Sequence, residues 1–219
     1  DPYPVLAQLR KLDPIHKDEQ SFYENSWTIS DHATVKALLT DPRLSVDPRS
    51  IGLRRDPRAD NAVTLRDPNM MNLDEPEHSR LRSLIHKAFT PSSIDAFRSQ
   101  IESTIDLCLD AIDGDQFDLV SHISKPVPTI TIAEYIGISS DRHLDFKRWT
   151  DSLTKQGFPV PSEAQWQEIV TADADMREFM SEVVAARTRE PQDDLVTRLV
   201  KASDEELKLT TDEVIEMCF

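Results

Sequence analysis

Glycine is nearly missing from this chain. Four occur in 219 residues, about 2% where globular chains average roughly 7%. None clusters, so there is no phosphate-cradling loop and no dinucleotide-binding fingerprint. Cysteine is as scarce: Cys108 and Cys218 form neither a disulfide framework nor a zinc-ligand spacing, which suits a reducing cytoplasm. No stretch approaches the ~18 apolar residues that mark a membrane span. The opening Asp1-Pro-Tyr-Pro does not begin like a signal peptide. Basic residues are outnumbered, 25 against 40 acidic, for a net charge of −15. A field of that sign repels nucleic acid and anionic membrane surfaces and excludes both as partners.

What remains is a soluble globular chain with no internal repeat and fourteen prolines, most of them punctuating helical periodicity. Its most informative stretch is Asn72-Leu-Asp-Glu-Pro-Glu-His-Ser-Arg-Leu-Arg-Ser-Leu-Ile-His-Lys-Ala-Phe-Thr-Pro91. Asp74 with Glu77 has the spacing of a capping box, and Pro91 supplies a stop. Leu81, Leu84, Ile85 and Ala88 recur at helical spacing and form an apolar stripe. His78, Arg82, Ile85 and Phe89 lie nearly one above another along its edge. Two cations one turn apart repel by roughly 0.2–0.5 kcal/mol. An anion between them relieves the conflict, and a carboxylate held by Arg82 is worth roughly 1.5–3 kcal/mol. On spacing alone, both side chains snorkelling into water is the simpler outcome.

The run Asp74-Glu-Pro-Glu-His-Ser-Arg-Leu-Arg82, continued as Lys87-Ala-Phe-Thr-Pro91, closely resembles the C-helix signature of the soluble bacterial cytochrome P-450 proteins, the haem-thiolate monooxygenases. The resemblance implies that His78 and Arg82 bind the propionates of heme b and that Phe89 lies near the porphyrin. It also places Met70 and Met71 at a position that touches haem and substrate, although flexible gap-filling in a core explains methionine equally well. The fold it implies is mainly α, with a small β-sheet near the amino terminus, and residues 1–219 as part of a single domain.

The remaining elements follow in order. Tyr3 to Leu12 suits a short amphipathic helix with a role in core support, and residues 15–29 suit short strands with Glu24-Asn25 as a turn. Asp31 caps a helix through Leu38 and Leu39. Residues 47–69 are proline-broken and rich in arginine and aspartate, a long loop. Ser92 or Ser93 opens a long helix closed by Gly114. The segment Ile130–Ile138 has strand propensity, but the resemblance makes it a helix with Gly137 just past its end. Helices from Ser140 and Ser162 flank Gly157-Phe-Pro-Val-Pro161 and resemble the family's lid over its substrate channel. An ordinary antiparallel helix pair accounts for them equally well. Thr210 with Glu213 is a capping box for a last helix, inside which the sequence stops.

That stop leaves out the family's oxygen-activating residues and its glycine-rich cysteine loop, so the iron ligand is expected beyond Phe219. Cys218 lacks that setting. Thiolate ligation, where the carboxyl half is present, favours O–O cleavage. The resemblance therefore implies the amino-terminal half of a monooxygenase acting on a small apolar organic substrate, inactive by itself. Val63, Leu65, Met71, Leu153 and Phe158 are the candidate pocket residues. On the opposite face, Arg80 and Lys87 project about 20° apart and could dock a ferredoxin-type electron donor. The competing reading is a non-catalytic helical module that binds an organic anion or a protein.

Overall fold

The computed structural model describes residues 1–19, 26–47, 50, 70–156, 161–205 and 209–218. They fall into two compact units, Asp1–Val46 and Asp47–Phe219.

In the first unit, α1 (Tyr3–Leu12) precedes an antiparallel pair, β1 (Ile15–Asp18) and β2 (Ser26–Ile29), with Ile15 opposite Ile29 and Asp18 opposite Ser26. The turn expected at Glu24-Asn25 lies outside the described residues. Then comes α2 (His32–Leu38), whose first amides at Ala33 and Thr34 are capped by the Asp31 carboxylate at 3.0 and 3.1 Å. No side chain of α1 is buried, so its expected role in core support is not met. A polar contact reaches it instead, from Arg10 Nε to the Ser30 carbonyl at 2.6 Å.

The second unit is helical. A 3₁₀ turn at Met70–Asn72 leads into α3 (Glu77–Ala88). Pro76 is the N-cap of α3 and makes no side-chain cap, so the capping box expected from Asp74 and Glu77 is not formed. Glu75 serves the first turn in its place, accepting the Ser79 amide at 3.2 Å. After α3 the expected long helix is divided into α4 (Pro91–Ala96) and α5 (Arg98–Asp110). Thr90 caps α4, accepting the Ser93 amide at 3.2 Å, and Pro91 begins a helix here as well as preventing α3 from continuing. Gly114, at φ +89°, stands beyond the end of α5 at Asp110.

A π-helical turn at Val120–Ser124 precedes α6 (Pro126–Ile136). Its β-branched residues are helical, and the helix ends at Gly137 with φ +107°. A Cβ at Gly137 would stand 2.3 Å from a carboxylate oxygen of Asp194. Asp194 is buried, accepts the Thr197 amide at 2.8 Å and pairs with Arg187, whose guanidinium also donates to the Gly137 carbonyl at 2.9 Å. This one cluster joins the end of α6, the end of α8 and the start of α9.

Next come α7 (His143–Leu153), α8 (Glu163–Arg189), α9 (Leu195–Glu205) and α10 (Thr211–Glu216). Trp149 lies 5.5 Å from Phe179, and Lys155 pairs with Glu168 at 2.7 Å. Partners fall in number along α8 as they rise along α7 and the turn that follows it, so the two helices are antiparallel. The core gathers Leu81, Leu84 and Ala88 of α3, Tyr135 and Ile136 of α6, Met176 and Met180 of α8, and Leu199 of α9. No helix among the described residues is long and apolar enough to cross a membrane.

Candidate cofactor-binding helix

α3 sits on α9 through its buried stripe, Leu81, Leu84 and Ala88. At about 100° per residue, that stripe separates two edges that carry basic side chains: His78 and Arg82 on one, Arg80 on the other, about 160° from each of them.

On the first edge His78 is half-buried and Arg82 exposed. His78 Nδ1 stands 3.3 Å from Glu75 Oε1, a contact that turns Nε2 away from Glu75. Protonated, the ring donates from both nitrogens. Hydrogen bonds from Ser79, then from His78, hold the Glu75 carboxyl below the usual glutamate value. Among the described residues Arg82 has no hydrogen-bond or ion-pair partner. Its guanidinium is a planar fork suited to a carboxylate.

The second edge is closed. Arg80 pairs with Glu213 of α10, with side-chain exposures of 32% and 25%. Burial alone would raise the Glu213 carboxyl. The Thr210 amide at 2.8 Å and Arg80 outweigh it, and the net displacement is downward. Arg80 is thus not the free surface cation expected from the helical projection; Lys87 remains exposed.

Phe89 ends α3 and is 39% exposed, its ring 4.9 Å from that of Tyr135. Tyr135 donates to the Ala88 carbonyl at 2.6 Å and accepts from Arg198 at 3.1 Å. It anchors the carboxyl end of the helix. Sequence reasoning missed both Tyr135 and Glu75. Glu75 was recoverable from its position three residues before His78, whereas Tyr135 carries no local signal.

The other candidates are spread along the unit. Met70 packs on the core beside α3, and Met71, in the same turn, is 77% exposed. Leu153 is half-buried at the end of α7, between the main core and the smaller Trp166–Ile169 cluster. Val63, Leu65 and Phe158 lie outside the described residues. Cys218 is buried, donates to the Val214 carbonyl at 3.3 Å, and burial pushes its thiol up to about 12. A thiol so raised stays protonated, the wrong state for a metal ligand. A cavity of about 250 Å³ lined by Arg142, Asp175, Glu178, Phe179 and Glu182 is too acidic for an apolar substrate.

The donor set on the first edge suits an organic dicarboxylate. A guanidinium with no partner among the described residues and an imidazole held by Glu75 stand one turn apart, with the exposed ring of Phe89 along the same edge. The two propionates and flat apolar ring of haem match that pattern.

No family model matches the chain. Individual proteins do. Cytochrome P450 107B1 of Saccharopolyspora erythraea is 34% identical over 205 residues, which are 89% of this chain and 48% of that protein. Nocardicin C N-oxygenase of Nocardia uniformis is 32% identical over 218 residues, 99% of this chain and 53% of the relative. Among solved structures, the cytochrome P450 PksS of the Bacillus subtilis 168 bacillaene polyketide synthase superposes with a TM-score of 0.83 at 29% identity. It is matched by 100% of this chain over 54% of its own. The chain spans about half the length of the relatives it matches. Over most of its length the chain is similar in sequence to bacterial cytochrome P-450 proteins, and it shares their fold.

Proposed function

We propose that this chain is the amino-terminal half of a haem-dependent monooxygenase that inserts one oxygen atom into a small, mostly apolar organic substrate. The observation that carries the reading is the open edge of α3, where Arg82 and His78 present donors to a carboxylate-bearing ligand. Bound haem supplies the activation of dioxygen. The residues of this chain hold and seat it: Arg82 by a charge-assisted hydrogen bond to one propionate, His78 by a bond to the other with Glu75 behind it, and Phe89 against the ring. Met70 and Met71 line the approach to α3. Val63, Leu65, Leu153 and Phe158 contribute to the substrate channel.

A ferredoxin-type donor docks beside Lys87, a basic point on a chain of net charge −15, where complementarity raises the rate of encounter. The cytoplasm is the compartment, consistent with two free, buried cysteines.

The test is the absorption spectrum of the dithionite-reduced protein under carbon monoxide, recorded on the full-length protein and on these 219 residues. A thiolate-type red-shifted Soret band in the former and its absence from the latter is expected. No haem signal in either overturns the reading in favour of a non-catalytic helical binding module.

A further inference from the structure

The open edge of α3 binds only if it faces the right way, and its contacts differ in how well they resist rolling about the helix axis. A side-chain tip rides roughly 5–6 Å from that axis, so a roll of about 20° carries it about 2 Å. A hydrogen bond tolerates a few tenths of an ångström. The stripe of Leu81, Leu84 and Ala88 packs through contacts that have no preferred direction. The directional contacts on the backbone act close to the axis: Glu75 on the Ser79 amide at 3.2 Å, and Tyr135 and Ser93 on the Ala88 carbonyl at 2.6 and 2.7 Å. Arg80 acts at full side-chain radius, on the far side of the stripe from His78 and Arg82.

Its partner is itself fixed. The Glu213 carboxylate takes the Thr210 amide at 2.8 Å in the capping box that begins α10. One turn on, Glu216 pairs with Arg177 of α8, with side-chain exposures of 11% and 15%. The Glu213 carboxylate is therefore held by the cap of its own helix, and α10 is tied to α8 one turn further on.

We infer that Arg80 and Glu213 are positioning residues: their ion pair sets the roll of α3 and so aims His78 and Arg82 at the haem propionates. The inference rests on the haem-binding reading above. It also gives Arg80 a role other than the one expected from sequence, a surface cation for a ferredoxin-type electron donor.

The experiment uses the full-length haem-loaded protein and measures haem transfer to excess apomyoglobin, with Soret circular dichroism reporting how the haem is seated. Arg80→Met loses haem about tenfold faster than wild type, on the scale of one misaimed charge-assisted bond, and its Soret dichroism changes. Arg80→Lys keeps a cation for Glu213 and stays within about threefold of wild type. Haem loss at the wild-type rate in Arg80→Met, with fast loss in Arg82→Ala, overturns the positioning role and leaves the haem-binding reading standing. Fast loss in Arg80→Met and Arg80→Lys alike, with a matching fall in thermal stability and unchanged Soret dichroism, also overturns it, because the pair is then only structural. Wild-type rates in both Arg80→Met and Arg82→Ala, or no bound haem in the wild type, overturn both.

Discussion

The Asp194 cluster and the His78–Arg82 edge are both built from charged side chains beside the same core, and they are finished in opposite ways. Each Asp194 carboxylate oxygen ends on protein, one on the Thr197 amide and one on Arg187, which in turn holds the Gly137 carbonyl. Arg82 is exposed and ends on none of the described residues. Burying charge is costly unless each group is paired, so a closed cluster of this kind is a folding device that fixes three helix ends. An exposed guanidinium with no partner among the described residues adds little to stability and is available to a ligand.

The comparison breaks most visibly at its closed end. Asp194→Ala leaves Arg187 unpaired in a mostly buried site and is expected to cost about 3–5 kcal/mol, measured by chemical denaturation. Gly137→Ala attacks the same point from the backbone. At φ +107°, with Asp194 Oδ2 2.3 Å from the new Cβ, both strain and overlap oppose it, for a loss of roughly 2–4 kcal/mol. If either variant unfolds at the wild-type denaturant concentration, the cluster is not what holds these helix ends together.

At the open end the expected signature is inverted. Arg82→Ala should weaken haem binding by about 1.5–3 kcal/mol, tenfold to a hundredfold, followed by spectral titration of the full-length protein. Its thermal midpoint without haem should stay within about 1 °C, since the side chain removed is exposed and has no partner among the described residues. A large drop in stability with unchanged haem affinity would erase the contrast between the two sites.

The two sites were also unequally legible in the sequence. His78 and Arg82 stand on one helix four residues apart, so periodicity alone aligned them. Gly137 announced its role because few other residues tolerate a positive φ at a helix end. The choice of helix for Ile130–Ile138 came from family resemblance, against the strand propensity of its β-branched residues; the helix buries Ala133 and Ile136 one turn apart and Tyr135 beside them. The break between α4 and α5 at Phe97 had no glycine or proline to mark it. The closure of Arg80 was illegible for a different reason. Its partner is 133 residues away, and helical projection shows which way a side chain points but not what meets it. The partners of Asp194 are likewise divided among three elements that only the tertiary fold brings together.

The smallest expected effect sharpens the contrast between the two edges of α3. The Glu213 carboxyl lies below its ordinary value of 4.5 in the folded chain. The unfolded chain therefore binds the extra proton first as pH falls, so this group's contribution is complete above the unfolded value and disappears as pH drops through the folded one. With both partners partly exposed, the contribution is about 1 kcal/mol or less. Glu213→Gln keeps an oxygen for the Thr210 amide and removes the titration. Between about pH 6 and pH 3, the stability difference between wild type and Glu213→Gln should shrink toward zero, as measured by urea midpoints. Arg82→Gln, at the open edge, should give curves parallel to wild type over the same range, because no carboxylate of the described residues titrates against it. A shrinking difference in Arg82→Gln, or a constant one in Glu213→Gln, would mean that the charge on α10 does not distinguish the closed edge from the open one.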